Sequence, residues 1–267
     1  MQITFIGGGN MAAAIIAGLS KHPEHTIRVL DRNQDKLDRL NQQYGAQGLT
    51  AMPAQFSPQE VVVLAVKPQQ LKALCHDLAP RLGGALTISI AAGIRCDALA
   101  RWLGSERLVR AMPNTPSMVG KGISGLFAAP AVSPADLAAA EIVMASVGSV
   151  VWLEREVGID DITCVSGSGP AYVFYFIESM MQAARDVGFD EATARQLVLD
   201  TFDGAVTLAR QSPLPVEQLR SNVTSKGGTT ERAIVRFDQE GVKAAIVAGA
   251  MDCRARSIEM GQQLSQD

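Results

Sequence analysis

The sequence predicts an α/β fold in which a doubly wound parallel sheet is followed by an all-helical region. Three observations predict it. At the start, Ile3, Phe5 and Ile6 read as a short buried strand and Met11 to Leu19 as an apolar helix, joined by Gly7-Gly-Gly9. Through about residue 153, short apolar runs alternate with helical periods, a pattern that builds a parallel sheet covered on both faces. From about Asp161 onward only helical periods remain.

Gly7, Gly9 and Ala12 fit G-x-G-x-x-G/A between a strand and a helix, the opening of a Rossmann dinucleotide-binding unit. Gly7 permits the tight turn, Gly9 lets a pyrophosphate approach the backbone, and Ala12 keeps helix and strand close. Amides at the helix start then face the phosphates. Ile27 to Leu30 reads as the second strand, and Asn33 caps a helix whose apolar face carries Leu37, Leu40 and Tyr44, with Gly45 ending it. Val61 to Val66 is an unbroken apolar run, as expected of a strand buried on both faces. Lys67-Pro68 opens the next helix. Leu86 to Ile90 and Leu108 to Met112 are further strands, with a short helix from Asp97 to Leu103 between them. Ser133 caps a helix with Pro134 at its first position; Gly148 ends it, and Val150 to Leu153 is the last strand.

In the helical half, Val173, Phe176, Ile177, Met180, Ala184 and Val187 form one apolar stripe after Pro170. Ala194, Leu197, Val198, Thr201, Ala205 and Leu208 form a second. A short helix ends near Asn222, and a long one runs from Val242 to about Gln263 with small residues over much of its surface. This half alone is a thin core, so an intersubunit helix bundle is expected over a monomeric core helix. The domains expected are 1–156, Rossmann, and 157–267, all-helical.

Hydrophobic residues make up 47% of the 267 and charged residues 19%, as in an ordinary soluble globular chain. The net charge of −3, with no block of like charges, argues against a nucleic-acid surface or a polybasic membrane patch. No apolar run approaches the roughly 20 residues of a membrane span, and no signal peptide is visible. Cys75, Cys96, Cys164 and Cys253 are scattered without a C-x-x-C pair, which fits reduced thiols in the cytoplasm better than a disulfide frame or a metal site.

Loops at the carboxyl ends of the strands should line the ligand crevice. Asp31-Arg32 ends the second strand: an acid here bonds the ribose 2′-OH of NAD, an arginine the 2′-phosphate of NADP, and the pair is equally readable as a solvated loop. Lys67 faces a cofactor phosphate or ribose, or is a plain exposed lysine. Ala91-Ala92-Gly93 lets a ligand approach the backbone, or is a simple turn. Asn114, in a double-proline loop, can offer a donor and an acceptor to a carboxamide. Ser166-Gly-Ser-Gly169-Pro170 is a bare helix start able to bind an anion, or a kink. Asn222 to Glu231 places two glycines and several hydroxyls before a helix, either as a carboxylate pocket or as an ordinary capped turn.

Gly7-Gly-Gly-Asn-Met-Ala12, Ala65-Val-Lys-Pro68, Ala91-Ala-Gly93, Arg110-Ala-Met-Pro-Asn-Thr-Pro116, Ser166-Gly-Ser-Gly-Pro-Ala-Tyr172 and Ser225-Lys-Gly-Gly-Thr-Thr230 together resemble the pyrroline-5-carboxylate reductase family, in that family's order and across nearly the whole chain. The resemblance implies hydride transfer from NADP(H), with NAD(H) as the alternative, to the C=N carbon of 1-pyrroline-5-carboxylate, giving L-proline. It implies a helical domain that binds substrate and interleaves in a homodimer, with further assembly into five dimers. By the same resemblance Ile6, Gly7, Gly8, Gly9, Asn10, Met11, Ala65, Val66, Lys67, Pro68 and Asn222 match cofactor-contacting positions, joined by Arg32, Ala91, Ala92, Gly93 and Asn114 from the loop reading. Thr229, Thr230 and Glu156 match substrate positions, with Ser225 and Gly228 in the same loop; Thr230 is the catalytic candidate. Two departures stand: Lys226 where the family often has proline, and the acidic Asp31 where members preferring NADP often have a neutral residue.

His22, His25 and His76 are the only histidines. A hydroxy-acid dehydrogenase usually wants a strong general acid for a developing alkoxide, whereas a protonated iminium is already electrophilic. The absence of histidine from the second half therefore suits an imine reductase. The 3-hydroxyacid dehydrogenases are the rival of the same class, but their glycine-rich helix carries a catalytic lysine and Ser166 to Glu178 contains none. A nucleotide-sensing protein that binds NADP without turnover is the rival of another class.

Overall fold

The structure is a computed structural model and describes residues 1–266. Its strands are β1 (Gln2–Ile6), β2 (Thr26–Leu30), β3 (Gln47–Leu49), β4 (Val61–Leu64), β5 (Leu86–Ser89), β6 (Leu108–Met112), β7 (Gly122–Ala128) and β8 (Gly148–Trp152). They form one sheet in the order β3-β2-β1-β4-β5-β6-β7-β8. Helices α1 (Asn10–Leu19), α2 (Gln34–Tyr44), α3 (Pro68–Leu78), α4 (Cys96–Leu103) and α5 (Pro134–Ala145) connect them.

The unbroken apolar run of β4 is explained by the two layers it separates. Val61 and Val63 join Ile15, Ile16, Leu37, Leu40, Val143 and Met144 of α1, α2 and α5 on one face. Val62 and Leu64 join Leu71, Cys75, Leu78, Leu99 and Trp102 of α3 and α4 on the other. Successive strand residues point to opposite faces, so both must be apolar.

Two strands were not foreseen. β3 has only three residues. β7 carries Gly122 and Gly125 and pairs antiparallel with β6. The link between β6 and β7 is a 3-10 turn at Thr115–Val119, too short for the helical crossover that a parallel pair needs. A Cβ on Gly125 would lie 2.7 Å from Ile162, so glycine here makes room for the chain above. The helix expected to run to Gly148 stops at Ala145. Gly148 instead opens β8 at φ +149°, where a Cβ would sit 1.9 Å from the Gly122 carbonyl oxygen.

The helical half continues with α6 (Gly158–Ile162), a π turn at Thr163–Gly167, α7 (Gly169–Asp186), α8 (Glu191–Gln211), α9 (Val216–Asn222), α10 (Thr229–Gln239) and α11 (Val242–Leu264). The expected helix break at Ser166 to Pro170 is a correction. The Ser168 amide donates to the Thr163 carbonyl at 2.8 Å, five residues back, so the chain stays helical through a π bulge and no bare anion-binding start forms there.

Compact packing divides the chain at Ser168/Gly169, not at the 156/157 change of sequence pattern, and the chain from Cys253 onward belongs to the first unit. The reason is the end of α11. Ser257 Oγ donates to Asp160 Oδ1 at 2.6 Å, Arg254 Nε to Asp161 Oδ1 at 2.5 Å, and the Arg95 amide to Ser265 Oγ at 3.1 Å. The second unit, Gly169–Asp252, buries only Ala194 and Val198.

Candidate functional site

The glycine turn leaves β1 between the ends of β2 and β4, whose residues Leu30 and Leu64 both pair in register with Ile6. The Gly7 amide donates to the Leu30 carbonyl at 2.8 Å. Gly7 has φ +102°, and a Cβ there would stand 2.6 Å from the Ala65 carbonyl oxygen. The Gly8 amide donates to Asp31 Oδ2 at 2.8 Å. Gly9 caps α1 without a side-chain bond, and a Cβ on it would meet nothing within 4 Å. Open space therefore lies over the start of α1, where the amides of Asn10, Met11 and Ala12 have no partner inside the helix. This cradle fits the pyrophosphate of a dinucleotide.

The loops after β1, β2 and β4 share one edge of the sheet. Arg32 is exposed there. Ala65 and Val66 are half-buried; Lys67 is exposed and caps α3, with Pro68 at its first turn. Asp31 is more engaged than the sequence foretold. Its Oδ1 accepts from the Asn33 amide at 3.0 Å, and its Oδ2 accepts from Lys36 Nζ at 3.2 Å as well as from Gly8. Burial opposes ionisation of Asp31, but the Asn33 and Gly8 amides and the Lys36 ammonium outweigh it and hold its carboxyl below the usual value. Lys36 is the residue that sequence reasoning missed. The available signal was its place three residues after the Asn33 cap, whose Oδ1 accepts the Lys36 amide at 3.0 Å.

Three residues expected at the ligand have close partners within the chain. Both ends of the Asn114 carboxamide are used: Nδ2 donates to the Ser166 carbonyl at 3.0 Å, and Oδ1 accepts from the Ile123 amide at 2.9 Å. Asn114 therefore braces the β6–β7 turn. Glu156 Oε1 accepts from the Cys96 amide and from Arg110 Nη1, both at 2.6 Å. Arg110 is buried, so Glu156 neutralises it and anchors the start of α4. At Gly93 the close neighbour is the chain itself, because a Cβ would lie 3.2 Å from Leu264 of α11. Ala91 is buried and Ala92 half-buried at the same edge.

In the second unit, Asn222 ends α9 and its Oδ1 accepts from Gln218 Nε2 at 2.8 Å. The loop before α10 is partly closed on itself. Gly227, at φ +73°, donates its amide to Glu231 Oε2 at 2.6 Å, and Gly228 donates to the Ser225 carbonyl at 3.0 Å. The Gly228 amide is thus spent, a correction to its expected contact with a carboxylate. The free amides are those of Thr229, Thr230 and Glu231 in the first turn of α10. Thr229, Thr230 and Ser225 are exposed.

Neither Cys75 nor Cys96 is set up for thiol chemistry. Burial pushes Cys75 up to about 12. Cys96, buried beside Glu156, is raised as well, and a thiol so raised supplies no thiolate at neutral pH. Among the described residues no cluster of His, Cys, Asp or Glu could hold a metal ion. No helix among them is long and apolar enough to cross a membrane.

Comparison with known proteins adds to this geometry. Residues 156–260 match the family model for pyrroline-5-carboxylate reductase dimerisation, and residues 2–93 match that for NADP oxidoreductase, coenzyme F420-dependent. The chain is 40% identical to a pyrroline-5-carboxylate reductase of Pseudomonas aeruginosa, over 99% of this chain and 98% of the relative. A solved pyrroline-5-carboxylate reductase from Coxiella burnetii superposes with TM-score 0.88 at 38% identity, covering 97% of both chains. A pyrroline carboxylate reductase of Plasmodium falciparum, solved with NADP bound, gives TM-score 0.87 at 27% identity over 98% of both.

Proposed function

The chain belongs to the pyrroline-5-carboxylate reductase family, and on that premise we propose the division of labour by which its residues reduce the C=N bond of 1-pyrroline-5-carboxylate to L-proline, the last step of proline biosynthesis. The sequence division at 156/157 is the functional one, with the dinucleotide held before it and the substrate after it. The observation that carries this reading is the open backbone at Gly9, set over a helix start at the end of β1.

NADPH, with NADH as the alternative, supplies the hydride when bound. Ile6 to Met11 hold the pyrophosphate, Ala65 to Pro68 border the adjacent ribose and phosphate, and Ala91 and Ala92 line the same edge. Arg32 pairs the 2′-phosphate. The free amides of Thr229 and Thr230 at the positive end of α10 hold the substrate carboxylate. Ser225 and Gly228 shape that loop: a Cβ on Gly228 would lie 3.0 Å from the Ser225 carbonyl oxygen. The Thr230 hydroxyl orients the ring nitrogen. The iminium nitrogen is already protonated, so hydride addition at carbon yields the neutral amine with no further acid, and the chain's work is positioning.

Steady-state oxidation of NADPH with pyrroline-5-carboxylate tests the reading. Saturable turnover supports it. A ligand change at one equivalent without turnover points to a nucleotide sensor, and activity with 3-hydroxy acids plus NADP points to the rival dehydrogenase. Thr230→Ala should lower kcat roughly 10- to 100-fold, the equivalent of about 1.4–2.7 kcal/mol, with NADPH affinity little changed. Thr230→Ser should recover much of the rate. Unchanged kcat and KM in Thr230→Ala would remove the hydroxyl from the reaction.

The helical unit supports a homodimer. Phe174, Tyr175 and Val187 are 60%, 70% and 75% exposed, large side chains that a second helical unit would cover. Five such dimers form the full assembly, and the protein works in the cytoplasm. Light scattering at micromolar concentration should give at least twice the 28.3 kDa chain mass. A monomer with full activity would defeat the interleaved arrangement.

A further inference from the structure

The dinucleotide edge sets two demands on Asp31 that conflict. Its carboxylate fixes the glycine turn, because Oδ2 accepts the Gly8 amide at 2.8 Å and Oδ1 accepts the Asn33 amide at 3.0 Å. With its side chain only 14% exposed, it is not free to swing away. The end of the second strand is also where the adenine ribose sits, and an acid there accepts from a 2′-OH and repels a 2′-phosphate. A carboxylate held in place for the turn would thus bias the site against NADP.

Lys36 stands where it answers this conflict. Its Nζ lies 3.2 Å from Asp31 Oδ2. Its backbone is set by the Asn33 cap in the first turn of α2. A lysine there opposes the helix dipole, so helix stability does not account for it. The ammonium has three donors and Asp31 takes one of them. Lys36 balances the charge of Asp31, and the exposed Arg32 next along the chain adds a second cation.

Resting on the dinucleotide reading above, we propose that Lys36 determines cofactor specificity by cancelling the charge of Asp31, so that one carboxylate can brace the glycine turn while a 2′-phosphate is accepted beside it. Arg32 and Lys36 then differ in kind. Arg32 is a direct partner of the phosphate. Lys36 matters because Asp31 is charged.

Dissociation constants of NADPH and NADH, measured by fluorescence titration on the full-length protein, test this. Lys36→Met keeps the stem and removes the charge; it should weaken NADPH about tenfold and NADH by less than about threefold, the range of a charge-assisted contact. Lys36→Arg should restore NADPH. Asp31→Asn keeps an acceptor for the Gly8 amide. In that background Lys36→Met should weaken NADPH much less, whereas Arg32→Ala should weaken it whether or not Asp31 is charged. Equal losses for both cofactors would overturn the proposal, as would the same NADPH loss with and without the Asp31 charge. In either case retained NADH binding would leave the dinucleotide reading standing. A native protein that binds neither cofactor would overturn both.

Discussion

Gly7→Ala should weaken NADPH binding by a factor of at least about 100 and lower the unfolding midpoint as well. The residue sits at φ +102°, where an L side chain costs roughly 1–2 kcal/mol. The new Cβ would also stand 2.6 Å from the Ala65 carbonyl oxygen, which belongs to backbone and cannot rotate aside. The turn must therefore move. Its movement pulls the Gly8 amide from Asp31 and lifts Gly9 out of line with α1. Gly9→Ala provides the control, because its Cβ enters open space. That variant should keep the midpoint of the native protein and lose affinity alone, since the methyl occupies the room a pyrophosphate needs. Calorimetry for the midpoint and fluorescence titration for NADPH separate the two effects. Native affinity in Gly7→Ala would mean that the turn is not the phosphate site.

Arg107→Ala should destabilise the first unit by about 2–3 kcal/mol, because the half-buried pair shields a buried carboxylate that the variant leaves without its strongest donor. Arg107 precedes β6 and binds three separate segments. Nη2 and Nε donate to Asp136 at 2.5 and 2.9 Å, and Nη1 donates to the carbonyls of Pro58 and Gly84 at 2.6 and 2.5 Å. Asp136 is buried and also closes the capping box of α5 with Ser133. The alanine variant leaves that carboxylate unpaired and two carbonyls without their donor. Denaturant unfolding measures the loss, and a change below about 1 kcal/mol would class the pair with exposed surface ion pairs.

The same pair predicts an acid limb. The Arg107 guanidinium, against burial and with help from Ser133, holds the Asp136 carboxyl below the usual carboxylate range. A depressed folded value stabilises the fold above the unfolded carboxylate value near 3.9. That contribution is lost as pH falls through the lower, folded value. Native stability should therefore decline on acidification below about pH 5, and the decline should be shallower in Arg107→Ala because the shift has gone.

The features legible in the sequence were those whose causes are local. The glycine turn was one, since strand, turn and helix follow one another within a few residues and Gly7 needs its positive φ as a matter of its own backbone. The buried strand at β4 and the Asn33 and Ser133 caps were legible for the same reason: an apolar run and a cap report on their own segment. The loop before α10 was legible in its glycines and hydroxyls. Which of its amides stay free was not, because Glu231 folds back on Gly227 and Ser225 takes Gly228.

What the tertiary structure decided was every role that depends on a partner far along the chain. Asn114 looked like a ligand contact until its two partners arrived from 9 and 52 residues away. Glu156 gives one oxygen to Arg110, 46 residues earlier, a pairing its sequence neighbourhood does not show. β7 could not be read because its glycines suit a loop until β6 offers an antiparallel edge and Ile162 packs against Gly125. Gly93 meets Leu264, a neighbour that exists only once α11 returns to the first unit. A polar side chain carries its hydrogen-bonding capacity in its chemistry, so the sequence determined what these residues could bond. Which partner uses that capacity depends on distance in space, and only the fold sets distance.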